Sequence, residues 1–226
     1  MAERYDWLLF DADDTLYDFR LAEHTALSAT LLEHYGRVEP YWLSHYHGIN
    51  KRLFAELERG EITMAELRPR RFREWLDHHT LEGDPQALSA AYLDQLCQQA
   101  QLIDGTEAVL AALHGRFKLA IVTNGFTRAQ RSRFALSSLH RYFDALFISE
   151  EIGAFKPHAA YFDAVFQALG HPTRERVMII GDNPDTDIAG GLNYGIATCW
   201  LNRHGETSQH QPQHEIRQLD QLLELL

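Results

Sequence analysis

The chain has 226 residues, 45% of them hydrophobic and 23% charged, with a formal charge of −11. That composition suits a soluble globular protein with a sizeable core, as one domain or a core with a smaller insert. The acidic balance excludes a polyanionic nucleic-acid partner, which needs clustered Lys and Arg, but allows a small anion held beside a local cation.

Cys97 and Cys199 form no CxxC pair and read as reduced thiols. The amino-terminal apolar run, Trp7–Phe10, is too short for a signal peptide, and no later stretch reaches the length of a membrane span. The expected location is the cytoplasm, with no membrane partner.

In chain order, five short apolar runs read as strands: Trp7–Phe10, Leu119–Val122, Ala145–Ile148, Val177–Ile180 and Ala197–Leu201. Runs without alternation suit strands covered on both faces, as in a parallel sheet. Helical patterns lie between them. Thr106–His114 stops at Gly115, Thr127–Leu139 follows the second strand, and Pro157–Leu169 starts on a proline and stops at Gly170. The expected fold is a doubly wound, Rossmann-like α/β sheet formed by residues 1–16 and 100–226. Residues 17–99 carry no strand pattern and read as an insertion of about four helices. Thr63 and Glu66 there have capping-box spacing, and Asp84-Pro85 marks another helix start. Residues 202–214 read as a loop before a last helix, Ile216–Leu226.

The chemistry-bearing residues fall at strand ends. Asp11 and Asp13 follow the first strand two positions apart, so an extended chain would turn both carboxylates to one site. Two such charges need a shared proton or a metal ion, and Mg²⁺ favours a few carboxylate oxygens plus water and phosphate. Thr123-Asn124-Gly125 ends the second strand, where a hydroxyl, an amide and exposed backbone N–H groups could cradle phosphate oxygens. Asp182 ends the fourth strand, Asp187 follows five residues later, and Lys156 precedes Pro157 in a loop at the same edge. Each alone has an ordinary explanation: a solvated acidic turn, an Asn-Gly turn, a helix-start carboxylate, a surface lysine. Their coincidence at the carboxyl edge of one sheet favours a single site.

In this order the motifs DADDT at 11–15, TNG at 123–125, Lys156-Pro157 and GDNPDTD at 181–187 resemble the haloacid dehalogenase (HAD) superfamily of aspartyl-nucleophile phosphatases. The helical insertion lies where that family carries a helical cap. DADDTLYDF, VTNGFTRAQRSR, ISEEIGAFKP and ATCWLNRHG look like the housecleaning pyrimidine 5′-nucleotidases of the superfamily. The resemblance implies Asp11 as nucleophile and Asp13 as general acid and base. It implies a phosphate site of Thr123, Asn124, Gly125 and Lys156, and Mg²⁺ (Mn²⁺ as the alternative) held by Asp11, Asp13, Asp182 and Asp187. It implies a small phosphomonoester substrate, a nucleotide foremost, with a sugar phosphate as the alternative; monomer and homodimer both stay open. Asn183-Pro184 departs from the small residue common after Asp182, which bears on the surroundings of the metal site.

A 2-haloacid dehalogenase would share the fold but need neither Asp13 nor a metal. A phosphonate hydrolase would need a cap lysine, for which Lys51 is the lone candidate in the insertion. A non-catalytic phosphate-binding module would be expected to have lost a motif position. The insertion's Tyr17, Phe19, Trp42, Tyr46, Phe54, Phe72 and Trp75 read mainly as core, with Phe19 and Asn50 as candidates for contact with a substrate base. His45/His47 and His78/His79 lack the i, i+4 spacing of a helical zinc site.

Overall fold

The computed structural model describes residues 4–226. Among them one sheet contains six strands, all parallel: β1 Trp7–Phe10, β2 Lys118–Thr123, β3 Ala145–Ile148, β4 Val177–Gly181, β5 Ala197–Leu201 and β6 His214–Ile216. Their spatial order is β3-β2-β1-β4-β5-β6. Strand order reverses direction at β1/β4, where Phe10 is in register with Ile180 on one side and with Ile121 on the other. Above the carboxyl ends of those strands the flanking chains diverge, which is where open α/β sheets bind ligands.

Alternate residues of the central strands feed two cores. Leu8, Phe10, Leu119, Ile121, Met178 and Ile180 pack on one face with Val109, Leu110 and Leu113. Trp7, Leu9, Ala120, Val122, Val177 and Ile179 pack on the other with Tyr161, Phe162, Val165 and Phe166. Each such fully buried apolar side chain contributes about 1.5–3 kcal/mol, so covering both faces explains the unbroken apolar runs.

Ten α-helices occur among the described residues. The first four are α1 Phe19–Tyr35, α2 Pro40–Glu58, α3 Met64–His79 and α4 Pro85–Leu96. The chain divides into two compact units: one runs to Phe19 and resumes at Ala100, and the other spans Arg20–Gln99. In the helical unit Trp42 and Trp75 meet edge to face with centroids 5.5 Å apart, and the Trp75 indole N–H donates to the Trp42 carbonyl at 3.0 Å. Trp42, Tyr46, Phe72 and Trp75 are all buried there. The α3 start is fixed reciprocally: Glu66 N donates to Thr63 Oγ1, and Thr63 N donates to the Glu66 carboxylate. The Asp84 side chain accepts from Gln86 N at the start of α4.

The sheet unit carries α5 Thr106–Leu113, α6 Thr127–Leu136, α7 Ser149–Ile152, α8 Ala159–Ala168, α9 Ala189–Tyr194 and α10 Leu222–Leu225. Three expectations need correction. Helix α6 stops at Leu136, because Ser137 turns extended and its side chain accepts from Leu139 N to open a separate 3₁₀ turn. Helix α8 starts two residues after Pro157, which lies in the preceding turn. The expected last helix begins instead as the edge strand β6, followed by a 3₁₀ turn and the short α10. Both cysteines are free and buried. No helix among the described residues is long and apolar enough to cross a membrane.

Candidate active site

β1 delivers Asp11 to the carboxyl edge, and its backbone N–H continues the ladder to the Ile180 carbonyl at 2.8 Å. The side chain is buried and meets the Lys156 ammonium, with Nζ 2.6 Å from Asp11 Oδ1. Lys156 is itself 1% exposed and spends its other donors on Asp187 Oδ1 at 2.7 Å and the Val122 carbonyl at 2.7 Å. A lysine this deep is tolerated because all three ammonium hydrogens have acceptors. Burial works to neutralise it, but Asp11 and Asp187 outweigh burial and hold it charged.

The loop carrying Lys156 is tied to the end of β2 by its backbone. Asn124 Nδ2 donates to the Lys156 carbonyl, and Lys156 N donates to Asn124 Oδ1, both at 2.9 Å. The Asn124 amide side chain is therefore a clamp on that loop rather than a group aimed at phosphate oxygens, which corrects one reading of TNG. Thr123 Oγ1 accepts from Gly125 N at 3.1 Å, folding the motif into a tight turn. A Cβ on Gly125 would lie 2.3 Å from Gln130 Nε2, so a side chain there would have to push Gln130 away from its bond to Asp13.

Asp182 and Asp187 come from β4 and the π-helical turn Pro184–Ile188 that follows. The inserted residue of that turn rotates Asp187 inward, where it is fully buried. Its Oδ2 accepts from Asn183 N at 3.1 Å, and its carboxylate presses against Gly181, where a Cβ would lie 2.2 Å from Oδ2. Asn183 thereby acquires a role: its side chain accepts from Asp185 N at 2.9 Å to cap the turn, while its N–H fixes Asp187. Asp182 is half-buried, accepts from Thr15 Oγ1 at 3.4 Å, and gives its backbone carbonyl to the Trp200 indole.

Asp11, Asp182 and Asp187 each offer a carboxylate oxygen, and those atoms lie within 4.8 Å of one another. Three carboxylates thus face one lysine. Burial pushes Asp11 up to about 8 against the pull of Lys156, with Asp187 reinforcing the rise. Burial, then Asp11 and Asp187, raise Asp182 well above the ordinary carboxylate range. Hard oxygen donors with excess negative charge fit a small divalent cation such as Mg²⁺.

The sign of the pH dependence follows. An unfolded carboxyl titrates near about 4. Between there and about 8 the folded, metal-free chain holds a proton on Asp11 that the unfolded chain releases. That contribution to stability is complete below the unfolded value and is lost as pH rises through about 8. A divalent cation displaces those protons, so Mg²⁺ is expected to raise the unfolding temperature more at high than at mildly acidic pH. Thermal unfolding with Mg²⁺ and with EDTA at both pH values checks this; an equal increment at the two would contradict it.

Asp13 is positioned by the turn that follows the strand rather than by the strand itself. β1 ends at Phe10, Asp14 takes a left-handed φ of 59°, and Leu16 and Tyr17 both donate backbone N–H to the Ala12 carbonyl. The chain has left the extended state, so the period of two no longer applies. The Asp13 carboxylate accepts from Arg133 Nη1 at 2.6 Å and Gln130 Nε2 at 2.7 Å, both buried on α6. The Arg133 guanidinium covers the Tyr17 ring at 4.3 Å and lies 5.8 Å from the Phe19 ring. Sequence reasoning missed Gln130 and Arg133; their i, i+3 spacing within VTNGFTRAQRSR was the available signal.

Asn50 is also corrected. It is buried, its amide N–H₂ donates to Glu23 Oε1 at 2.8 Å, and its carbonyl accepts from Arg71 at 3.2 Å. Those bonds make it a fixed member of the helical unit's polar interior, not a group presented to a ligand.

Residues 5–195 match the family model for haloacid dehalogenase-like hydrolases. The chain is 36% identical over 201 residues to pyrimidine 5′-nucleotidase YjjG of Escherichia coli, covering 89% of this chain and 88% of that one. It is likewise 36% identical over 225 residues to pyrimidine 5′-nucleotidase PynA of Streptococcus pneumoniae, covering 98% and 95%. The crystal structure of the HAD-hydrolase YfnB of Bacillus subtilis, bound to magnesium, superposes with a TM-score of 0.93 at 35% identity and covers 99% of each chain.

Proposed function

The chain belongs to the haloacid dehalogenase-like hydrolases, and we propose that it hydrolyses the 5′-phosphate of nucleoside monophosphates, pyrimidine nucleotides foremost, through an aspartyl-phosphate on Asp11. The observation that carries this reading is the convergence of Asp11, Lys156, Asp182 and Asp187 where strand order reverses at β1/β4.

Asp11 attacks phosphorus, forming a carboxylate O–P bond as the P–O ester bond breaks. The departing alkoxide takes a proton from Asp13. Water then attacks phosphorus, gives a proton back to Asp13, and the Asp11 O–P bond breaks to release phosphate and the free carboxylate. Lys156 offsets phosphate charge, and Thr123 with the turn at Asn124 and Gly125 orients the phosphoryl oxygens. Asn124 acts by holding the Lys156 loop in register. Arg133 and Gln130 fix the orientation of the Asp13 carboxylate. When bound, Mg²⁺ (or Mn²⁺) supplies further positive charge to the phosphoryl group; Asp11, Asp182, Asp187 and the Asp13 backbone carbonyl would hold it.

Support for a nucleotide comes from the two nucleotidases that match at 36% identity over nearly the whole chain. We assign substrate selectivity to the helical unit, with Phe19 beside its start as the candidate base contact, and place the reaction in the cytoplasm, where the free thiols persist. A panel of nucleoside 5′-monophosphates and sugar phosphates with Mg²⁺ tests the substrate. The expected result is a kcat/KM for UMP and dTMP at least roughly tenfold above any sugar phosphate, a difference of about 1.4 kcal/mol. The reverse order would overturn the nucleotide assignment while leaving the phosphatase intact.

A further inference from the structure

His45, in the second turn of α2, and His78 with His79, in the last turn of α3, are far apart in sequence but come together within the helical unit. Each offers one ring nitrogen, and the three nitrogens lie within 4.8 Å of one another. His45 Nδ1 is 3.1 Å from His79 Nε2. The His45 and His78 ring centroids are 3.8 Å apart, with the rings tilted by 44°. Two nitrogens bound to one tetrahedral zinc at 2.0–2.1 Å stand roughly 3.3 Å apart. The His45–His79 pair, joined in this structure by a hydrogen bond, already has that spacing, and an ion would replace its shared proton while rotamer adjustment brings in His78.

The three rings also pack on one another and on Trp75, at 4.9 Å from His79, and Tyr41, at 5.4 Å, yet each keeps a ring nitrogen turned to the same small volume. We propose that His45, His78 and His79 form a binding site for a borderline divalent transition-metal ion, zinc foremost, separate from the carboxylate cluster of the sheet unit. Imidazole nitrogen suits zinc, nickel or copper and does not suit Mg²⁺, so the two sites select different ions by donor chemistry.

The surroundings favour such a cation. Both α3 ligands lie at its carboxyl end, where the helix presents partial negative charge. His78 is exposed and Gly48 leaves its side of the adjoining cleft open, giving an ion a route in and solvent for the fourth position. The nearest full cation along that cleft, Arg52, is paired with Glu56 and Glu74. An ion there would link α2 to α3.

The test uses untagged full-length protein stripped of metal, titrated with Zn²⁺ in excess Mg²⁺ against a chromophoric chelator. The Asp182→Asn background serves in parallel to weaken the carboxylate cluster as a competitor. The expected result is one Zn²⁺ per chain in both backgrounds, weakened roughly 10–100-fold or more by His78→Asn and by His45→Asn. His78 is exposed, so its replacement spares the fold, and Co²⁺ should give tetrahedral visible bands in the parent that both variants lose. Absence of saturable Zn²⁺ binding in the parent would overturn the proposal. So would affinity and Co²⁺ spectra unchanged in the two histidine variants.

Discussion

Asp11→Asn is expected to lower kcat by at least about 10³–10⁴-fold, because an amide cannot displace the ester oxygen at phosphorus. Burial and Asp187 already disfavour the charged form of Asp11, so a neutral amide is expected to be tolerated there. The substitution keeps the shape of a buried side chain and removes one of three carboxylates that share one lysine. The stability of the metal-free protein should therefore stay equal or rise while turnover collapses. Steady-state kinetics beside thermal unfolding checks both halves, and turnover within tenfold of the parent would contradict the assignment of the nucleophile.

Lys156→Met is expected to damage both properties. The ammonium is bonded to Asp11, Asp187 and the Val122 carbonyl, all in the interior. Removing it leaves those acceptors unpaired and two carboxylates facing each other, a loss on the order of 3–5 kcal/mol. Against a total stability of roughly 5–15 kcal/mol, that is a large drop in unfolding temperature. Mg²⁺ should recover part of the stability, since it replaces positive charge at the same carboxylates. It should not recover turnover, which is expected to stay at least about 10²-fold low for want of charge beside the phosphoryl oxygens. Denaturant unfolding with and without Mg²⁺, paired with kcat, reads the two effects separately.

The contrast between these residues and Asp13 shows where sequence suffices. Strands β1, β2, β4 and β5 are buried along nearly their whole length, so their apolar runs announce them, and the residues after each run necessarily reach the sheet edge. Asp11, Thr123 and Asp182 are placed by that logic alone. β6 escaped notice because it is a three-residue edge strand, His214–Ile216, of which only Ile216 is buried. Its identity depends on pairing with β5, not on its own pattern.

The hydrogen-bond partners of Asp13 were not legible, because it lies past the end of the strand, where a period of two no longer applies. Its actual partners, Gln130 and Arg133, lie more than a hundred residues away. The π-helical turn that rotates Asp187 onto Lys156, and the meeting of His45 with His78 and His79, have no local signature either. Each arises when separate elements pack. Asn50 shows the opposite error: a polar residue in a region expected to contact substrate has its amide consumed by Glu23 and Arg71.

The most direct test of the central claim is a rapid-quench single turnover with ³²P-labelled nucleoside 5′-monophosphate, followed by peptide mapping. The expected result is transient label on the peptide containing Asp11, sensitive to hydroxylamine as an acyl phosphate is, appearing before free phosphate and absent in Asp11→Asn. Release of phosphate with no labelled Asp11 peptide at any time, or label on another residue, would contradict it.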